Sequence, residues 1–307
     1  MLSSKTIAAQ KILAARLLIG VVIGLILFKM AVSWFTRSIS IMAQTTDSLL
    51  DLCAGIVTFA TVRIATKPAD ENHPYGHGKV EDMGSLVQGA LIMVASVLII
   101  VSAVERIMAG VVVKLVEAGI GVMLLSIVVS IVLSRHLLRV AHSTDSLLIE
   151  ANAHNIAADV YSAVAVLLGL LLVRLTNLNY IDAIIAIGVA LYIFVIALRV
   201  LARSLAGLID ARLSPEQEAI VRETLKIHNH EVAGFHELRS RRSGSERYID
   251  LHLVMDKQIS LEEAHRICDH IEGEIKDKLR GANVTIHAEP CDSNCKRCPA
   301  VCSKRNT

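Results

Sequence analysis

Two groups of polar residues stand where charge is expensive. Asp47 and Asp51 lie inside an otherwise apolar stretch, and His154, Asn155 and Asp159 lie inside another. A spacing of four puts Asp47 with Asp51, and Asn155 with Asp159, on one helix face one turn apart. A carboxylate at the centre of a bilayer costs ~2.5–3.5 kcal/mol on insertion scales. Two of them one turn apart also repel. A bound cation would offset both costs, and two such helices in contact would offer up to four ligands, the number a tetrahedral divalent metal takes. The plainer alternative is that the polar groups only tie helices together. It gives no reason for three acids at paired helical spacings.

Three more groups have ligand chemistry. The run Asp70-Glu71-Asn72-His73-Pro74-Tyr75-Gly76-His77-Gly78-Lys79 supplies one carboxylate and two imidazoles within eight residues. It reads either as a Zn²⁺ or Fe²⁺ site at Asp70, His73 and His77 or as a turn with incidental histidines. Seven of the twelve histidines fall after residue 211. Among them His252 lies opposite the apolar face of an alternating segment, and His236 and His287 fall on neighbouring strand candidates, where imidazoles could gather around a metal and bridge two subunits. Finally, Cys291, Cys295, Cys298 and Cys302 follow a C-x₃-C-x₂-C-x₃-C spacing. Four thiolates so placed can wrap Zn²⁺ or an Fe–S cluster, and the competing reading is a reduced, disordered tail. Cys53 and Cys268 read as ordinary buried or half-buried residues. His228, His230 and His270 read as surface residues, and His136 and His142 as members of a basic loop.

The elements that must position these residues follow from composition. The 307 residues are 53% hydrophobic and 20% charged, with a mean hydropathy of +0.55. A water-soluble protein of that hydropathy would expose apolar surface and aggregate. A formal charge of +2 and 4% aromatics give no footprint for nucleic acid. No His-Glu-x-x-His, nucleophile elbow or P-loop is present, so proteolysis, ester hydrolysis and ATP-driven pumping lack their motifs. A spanning helix needs ~20 mostly apolar residues. Six candidates occur, at roughly 12–34, 40–64, 83–107, 111–134, 147–173 and 181–203. One set of connections carries Lys5, Lys11, Arg63, Lys67, Lys79, Arg135, Arg139, Arg199 and Arg203, against Arg37, Arg106, Lys114 and Arg174 on the other. The richer set should be cytoplasmic, with both termini.

From residue 211 the sequence reads as a soluble domain. Ser214-Pro215-Glu216-Gln217 and Ser260-Leu261-Glu262-Glu263 are capping boxes that open two helices. Residues 235–242 and 246–255 read as strands around Ser243-Gly244, and 284–287 as a third. The expected fold is an all-α six-helix transmembrane domain over residues 1–210. A small cytoplasmic α+β domain (αββαβ, ferredoxin-like) follows over 211–290, then a cysteine-rich tail over 291–307.

Together the six spans, the Asp-x₃-Asp pair, the His-Pro-Tyr-Gly-His-Gly-Lys run, the fifth-segment pair and the α+β tail resemble the cation diffusion facilitator family. Its bacterial zinc/iron exporters are the nearest likeness, over roughly residues 10–292. The resemblance implies a homodimeric antiporter in the bacterial inner membrane. It would carry a divalent metal out of the cytoplasm against protons by alternating access, with no cofactor beyond bound metal ions. A membrane metal sensor that moves no ion is the competing class. The resemblance assigns Asp47, Asp51, the residue four before Asp159, and Asp159 to the transport site. It assigns Asp70, His73 and His77 to a loop site, and His236, His252, His265, His287 and Glu289 to a cytoplasmic site. Lys79 and Asp210 fall at its dimer interlock. The cysteine tail lies outside the family pattern. One departure bears on substrate. The zinc-type pattern has histidine four residues before the fifth-segment aspartate, and here Asn155 stands there with His154 one position earlier. An amide oxygen should shift preference toward harder ions such as Mn²⁺ or Fe²⁺. His154 could take the place only through a local distortion, since one residue turns a helix by ~100°.

Overall fold

The structure is a computed structural model that describes residues 4–36, 39–109, 117–176 and 180–291. It divides between Leu205 and Ala206 into two compact units. The first unit is helical: α1 (Ser4–Thr36), α2 (Ile39–Ala65), α3 (Lys79–Ala109), α4 (Glu117–Thr144), α5 (Leu147–Thr176) and α6 (Tyr180–Leu208). Among the described residues, four of these helices (α1, α3, α4 and α6) are long and apolar enough to cross a membrane. Large apolar side chains such as Leu98, Leu124 and Leu191 face outward. Helices α1, α4 and α5 share a core that includes Ala14, Leu18, Leu137 and Ile149.

Small residues and a few buried polar links set the helix spacing. A Cβ on Gly84 of α3 would lie 2.5 Å from Thr61 Cγ2 of α2, so only glycine permits that approach. Asn152 of α5 donates to Thr58 Oγ1 of α2 at 2.7 Å, and Ser134 of α4 donates to the Ala153 carbonyl of α5 at 2.9 Å. With no water in the hydrocarbon, such polar groups must find partners inside the protein.

The fourth helix differs from its expected span. It ends at Thr144 rather than near 134, so Arg135, His136, Arg139 and His142 sit on helix and not in a loop. The reason is periodic: Leu133, Leu137 and Ala141 are buried while Arg135, Arg139 and His142 are exposed. Lys11, expected in a loop, is inside α1 and 4% exposed. Its Nζ lies 2.6 Å from Glu81 Oε2 at the start of α3. Glu81 also accepts from the hydroxyl of Ser146, just before α5.

The second unit runs α7 (Pro215–Ile227), β1 (Gly234–Ser243), β2 (Glu246–Met255), α8 (Leu261–Lys278) and β3 (Ala282–Pro290). Both serine N-caps form, with Ser214 accepting from Gln217 N–H and Ser260 from Glu263 N–H. The sheet order is β1-β2-β3. Strands β1 and β2 are antiparallel through a tight turn at Gly244, whose φ of +59° suits glycine. Strands β2 and β3 are parallel with α8 as the crossover, and β3 is longer than the expected 284–287. The core gathers Val221, Leu225, Ile249, Leu251, Leu253, Ile271 and Ile275 from both helices and the sheet. Cys268 joins it, and burial pushes its thiol pKa up; Cys53, by contrast with its expected burial, is exposed.

In the first turn of α7, Glu218 accepts from the guanidinium of Arg212 and, at 2.9 Å, from Ser240 of β1. Burial pushes its carboxyl pKa up, but the hydrogen bonds from Arg212 and Ser240 win and hold it below the ordinary 4.5. Its contribution is therefore present above about pH 4.5 and lost as pH falls through the lower folded value. Glu218→Ala should destabilise this unit by ~1.5–3 kcal/mol, the worth of charge-assisted hydrogen bonds. Thermal unfolding at neutral pH checks the loss, and the gap between variant and parent should shrink in acid.

Candidate metal centres

In the helical unit, Asp51 of α2 and Asn155 and Asp159 of α5 line one small cavity of about 30 Å³, with Ser48, Ser130 and Asn152 around them. That is space for about one water or one ion. Asn155 Nδ2 donates to Asp51 Oδ1 at 3.3 Å, so the amide already sits against the carboxylate. Turned over, the same amide would present its carbonyl oxygen to a cation. The i, i+4 spacing on α5 brings Asn155 and Asp159 to this cavity together. His154, one residue round the helix, is not among the lining residues: its Nε2 lies 3.9 Å from Glu150, itself held by Arg203 at 2.6 Å. Asp47 is on α2 four residues before Asp51, and its side chain is outside what the structure describes. Lys29 of α1, 8% exposed, donates to Ser48 at 2.8 Å and puts a buried cation near the same wall. The Lys29 contact is not foreseen from sequence, because a lysine 22 residues from Asp51 carries no local signal of contact.

Between α2 and α3, a turn gathers Asp70, His73 and His77 with ligand atoms within 4.8 Å of one another. Asp70 Oδ1 accepts from His73 N–H at 2.7 Å and lies 3.1 Å from its Nδ1, while Oδ2 is 3.5 Å from His77 Nε2. The backbone N–H of His73 chiefly lowers the pKa of Asp70 and keeps it an acceptor. The two imidazoles are 4.4 Å apart. Among the described residues, the buried His77 Nδ1 has no hydrogen-bond partner.

The sheet of the second unit makes a third cluster by register. His236 of β1 is the Cα partner of His252 of β2, which is in turn the partner of His287 of β3. The three imidazoles therefore form a row across one face, with ring centroids 5.2 and 4.9 Å apart. Glu289, two residues beyond His287, returns to the same face. Its carboxylate lies 2.8 Å from His252 Nδ1 and 3.0 Å from His236 Nε2. Those bonds, His252's first, lower its pKa. A bulge-like irregularity in β1 between His236 and Arg239, with Glu237 at φ +49°, shifts the register next to this row. His265 is not part of the row; it is exposed on α8 beside Asp269 at 3.5 Å.

Residues 15–209 match the cation efflux transmembrane domain, and residues 213–291 match the cation efflux protein cytoplasmic domain. The cation-efflux pump FieF of Pectobacterium atrosepticum is 32% identical over 270 residues, 87% of this chain and 89% of that one. The chain belongs to the cation diffusion facilitator family. The pump of the same name from Shigella boydii serotype 18 is 31% identical over 87% of this chain and 88% of its own. The metal-bound C-terminal domain of the CzcD transporter from Thermotoga maritima is 23% identical over 25% of this chain and 94% of that chain, with a TM-score of 0.23.

As a member of the cation diffusion facilitator family, the protein is an integral membrane cation efflux transporter rather than an enzyme. Of the two positions expected at a dimer interlock, Lys79 opens α3 in the first unit. Asp210, at φ +58°, is in the second, where it accepts from Arg241 at 3.2 Å. Of the tail thiols, Cys291 follows β3 with its N–H on the Met255 carbonyl, and Cys295, Cys298 and Cys302 lie outside the described residues. His228, read as a surface residue, is 5% exposed at the end of α7. It is buried because α8 crosses there, a long-range contact that no local pattern announces.

Proposed function

We propose that the protein exports a divalent transition metal from the cytoplasm by exchanging it for protons. The observation that carries this reading is the membrane-helix cavity lined by Asp51, Asn155 and Asp159, with Asp47 one turn away on α2. Carboxylates must be deprotonated to hold a metal, so metal and protons compete for the same oxygens. Competition at one site that opens to each side in turn is what exchange requires. The cation substrate is Zn²⁺ or Fe²⁺, with Mn²⁺, Co²⁺ and Cd²⁺ as further candidates. Asp70, His73 and His77 form a second metal site at the loop. His236, His252, His287 and Glu289 form a cytoplasmic one in a homodimer. His265, apart from the row within one chain, would join that site only from a second copy. Metal there would favour one arrangement of the membrane halves. Both termini face the cytoplasm of a bacterial cell, and the tail cysteines add a soft-metal site after β3.

The experiment is uptake into sealed proteoliposomes that carry a pH-sensitive dye. Metal entry should drive protons outward and should respond to an imposed pH gradient. Uptake indifferent to the gradient, with no proton movement, would sink the exchange.

The donor set of the cavity makes a separate prediction. Asn155→His replaces an amide oxygen with an imidazole nitrogen, the better donor for Zn²⁺ than for Mn²⁺. The Zn²⁺:Mn²⁺ preference should rise on the order of tenfold, about 1.4 kcal/mol. An unchanged ion order in competition uptake would remove Asn155 from the ligand set.

A further inference from the structure

A fourth cluster, in the second unit, shares no residue with these sites. Helix α7 ends at Ile227, and His228 caps it with a nearly buried ring. One ring nitrogen, Nδ1, lies 2.9 Å from Glu231 Oε2. The other, Nε2, faces α8 and lies 3.1 Å from Glu274 Oε2. His270 stands four residues before Glu274, so both project from the same face of α8. Its ring meets that of His228 edge-on, with centroids 5.2 Å apart. One ligand atom from each of His228, His270 and Glu274 falls within 4.8 Å of the others.

We propose that His228, His270 and Glu274 form a divalent-metal site that staples the end of α7 to α8. Two imidazoles and one carboxylate are a donor set that suits Zn²⁺ and similar borderline ions, and three protein ligands leave a fourth position for water. Glu231 supplies what a metal-binding histidine ordinarily has: a carboxylate on its second nitrogen, which fixes the ring and its tautomer. Lys278 lies 3.7 Å from Glu274 Oε2, the oxygen that also faces His228, and donates to Thr224 at 3.0 Å, so its tighter contact is with Thr224. A purely ionic staple needs only His228 between Glu231 and Glu274, and leaves the position of His270 without a purpose. The site uses helix residues and none of the sheet row His236, His252, His287 and Glu289.

The test counts zinc on the full-length chain in detergent, in the His236→Ala/His252→Ala background that removes the sheet row. After equilibrium dialysis against Zn²⁺, His270→Ala and, separately, Glu274→Gln should each bind one zinc fewer per chain than that background. Both substitutions are at accessible positions, so an unchanged gel-filtration profile can accompany the count. With Co²⁺ in place of Zn²⁺, the same two substitutions should remove one equivalent of visible d–d absorption. Zinc counts equal to the background for both variants would overturn the site and leave the ionic staple. The count does not depend on transport: if the export reading failed, zinc at this site would still be lost with His270.

Discussion

Asp51→Ala should abolish metal transport while leaving the protein folded. Asp51 gives the membrane cavity a carboxylate that faces Asn155 directly and shares the space with Asp159. At an effective dielectric near 20, a charge pair ~4 Å apart is worth about 4 kcal/mol, close to a thousandfold in occupancy. Even a residue that only supports a metal ligand costs ~10–100-fold when removed. Flux at subsaturating metal should therefore fall by at least ~100-fold, to the level of empty vesicles. The fold should survive because other bonds join the same helices. Asn152 to Thr58 ties α5 to α2, and Ser134 to the Ala153 carbonyl ties α4 to α5. Asp51→Asn, which keeps the shape and removes the charge, should fail nearly as badly. Full flux in Asp51→Asn would show that the cavity's charge is not what holds the ion.

The second large effect is on stability and falls on Glu81. Lys11 and Glu81 are 4% and 3% exposed at their side chains and 2.6 Å apart, joining α1 to α3. The Ser146 hydroxyl adds the start of α5 to the same carboxylate. Such a pair is weak evidence for stability as a whole, because desolvating both charges consumes most of their attraction. Breaking it is different. Glu81→Ala leaves the Lys11 ammonium buried without its carboxylate, and the expected cost is ~3–5 kcal/mol. The double variant Lys11→Met/Glu81→Leu removes both charges and refills the space, so it should recover most of that loss. Thermal unfolding of the detergent-solubilised protein, with both single variants and the double, measures the coupling. Additive losses in the double variant would mean that the two side chains do not act as a pair.

The chain announces what is periodic or local and hides what is brought together over distance. Apolar runs mark the membrane helices, and the serine-led capping boxes mark the starts of α7 and α8 within a residue. Alternation places His252 opposite the core face, and strand register then aligns it with His236 and His287. The i, i+4 pair on α5 is visible as Asn155 and Asp159, and helical rotation alone explains why His154 points instead toward Glu150. The basic residues from Arg135 to His142 mimic a loop by composition, yet Leu137 and Ala141 keep the helical period and bury. Lys11 meets Glu81 across 70 residues. His228 and Glu274 are 46 apart, and no pattern in either segment signals the other. His265 illustrates a different limit: the chain alone leaves it on an exposed helix face.

The most direct test of export is metal flux into proteoliposomes under a single pH gradient, with Zn²⁺, Fe²⁺, Mn²⁺, Co²⁺ and Cd²⁺ compared side by side. The account predicts uptake of at least one of these ions by the wild-type chain, driven by the gradient and absent with Asp51→Ala. No flux of any of the five from correctly inserted protein would contradict it and favour a membrane sensor that binds metal without moving it.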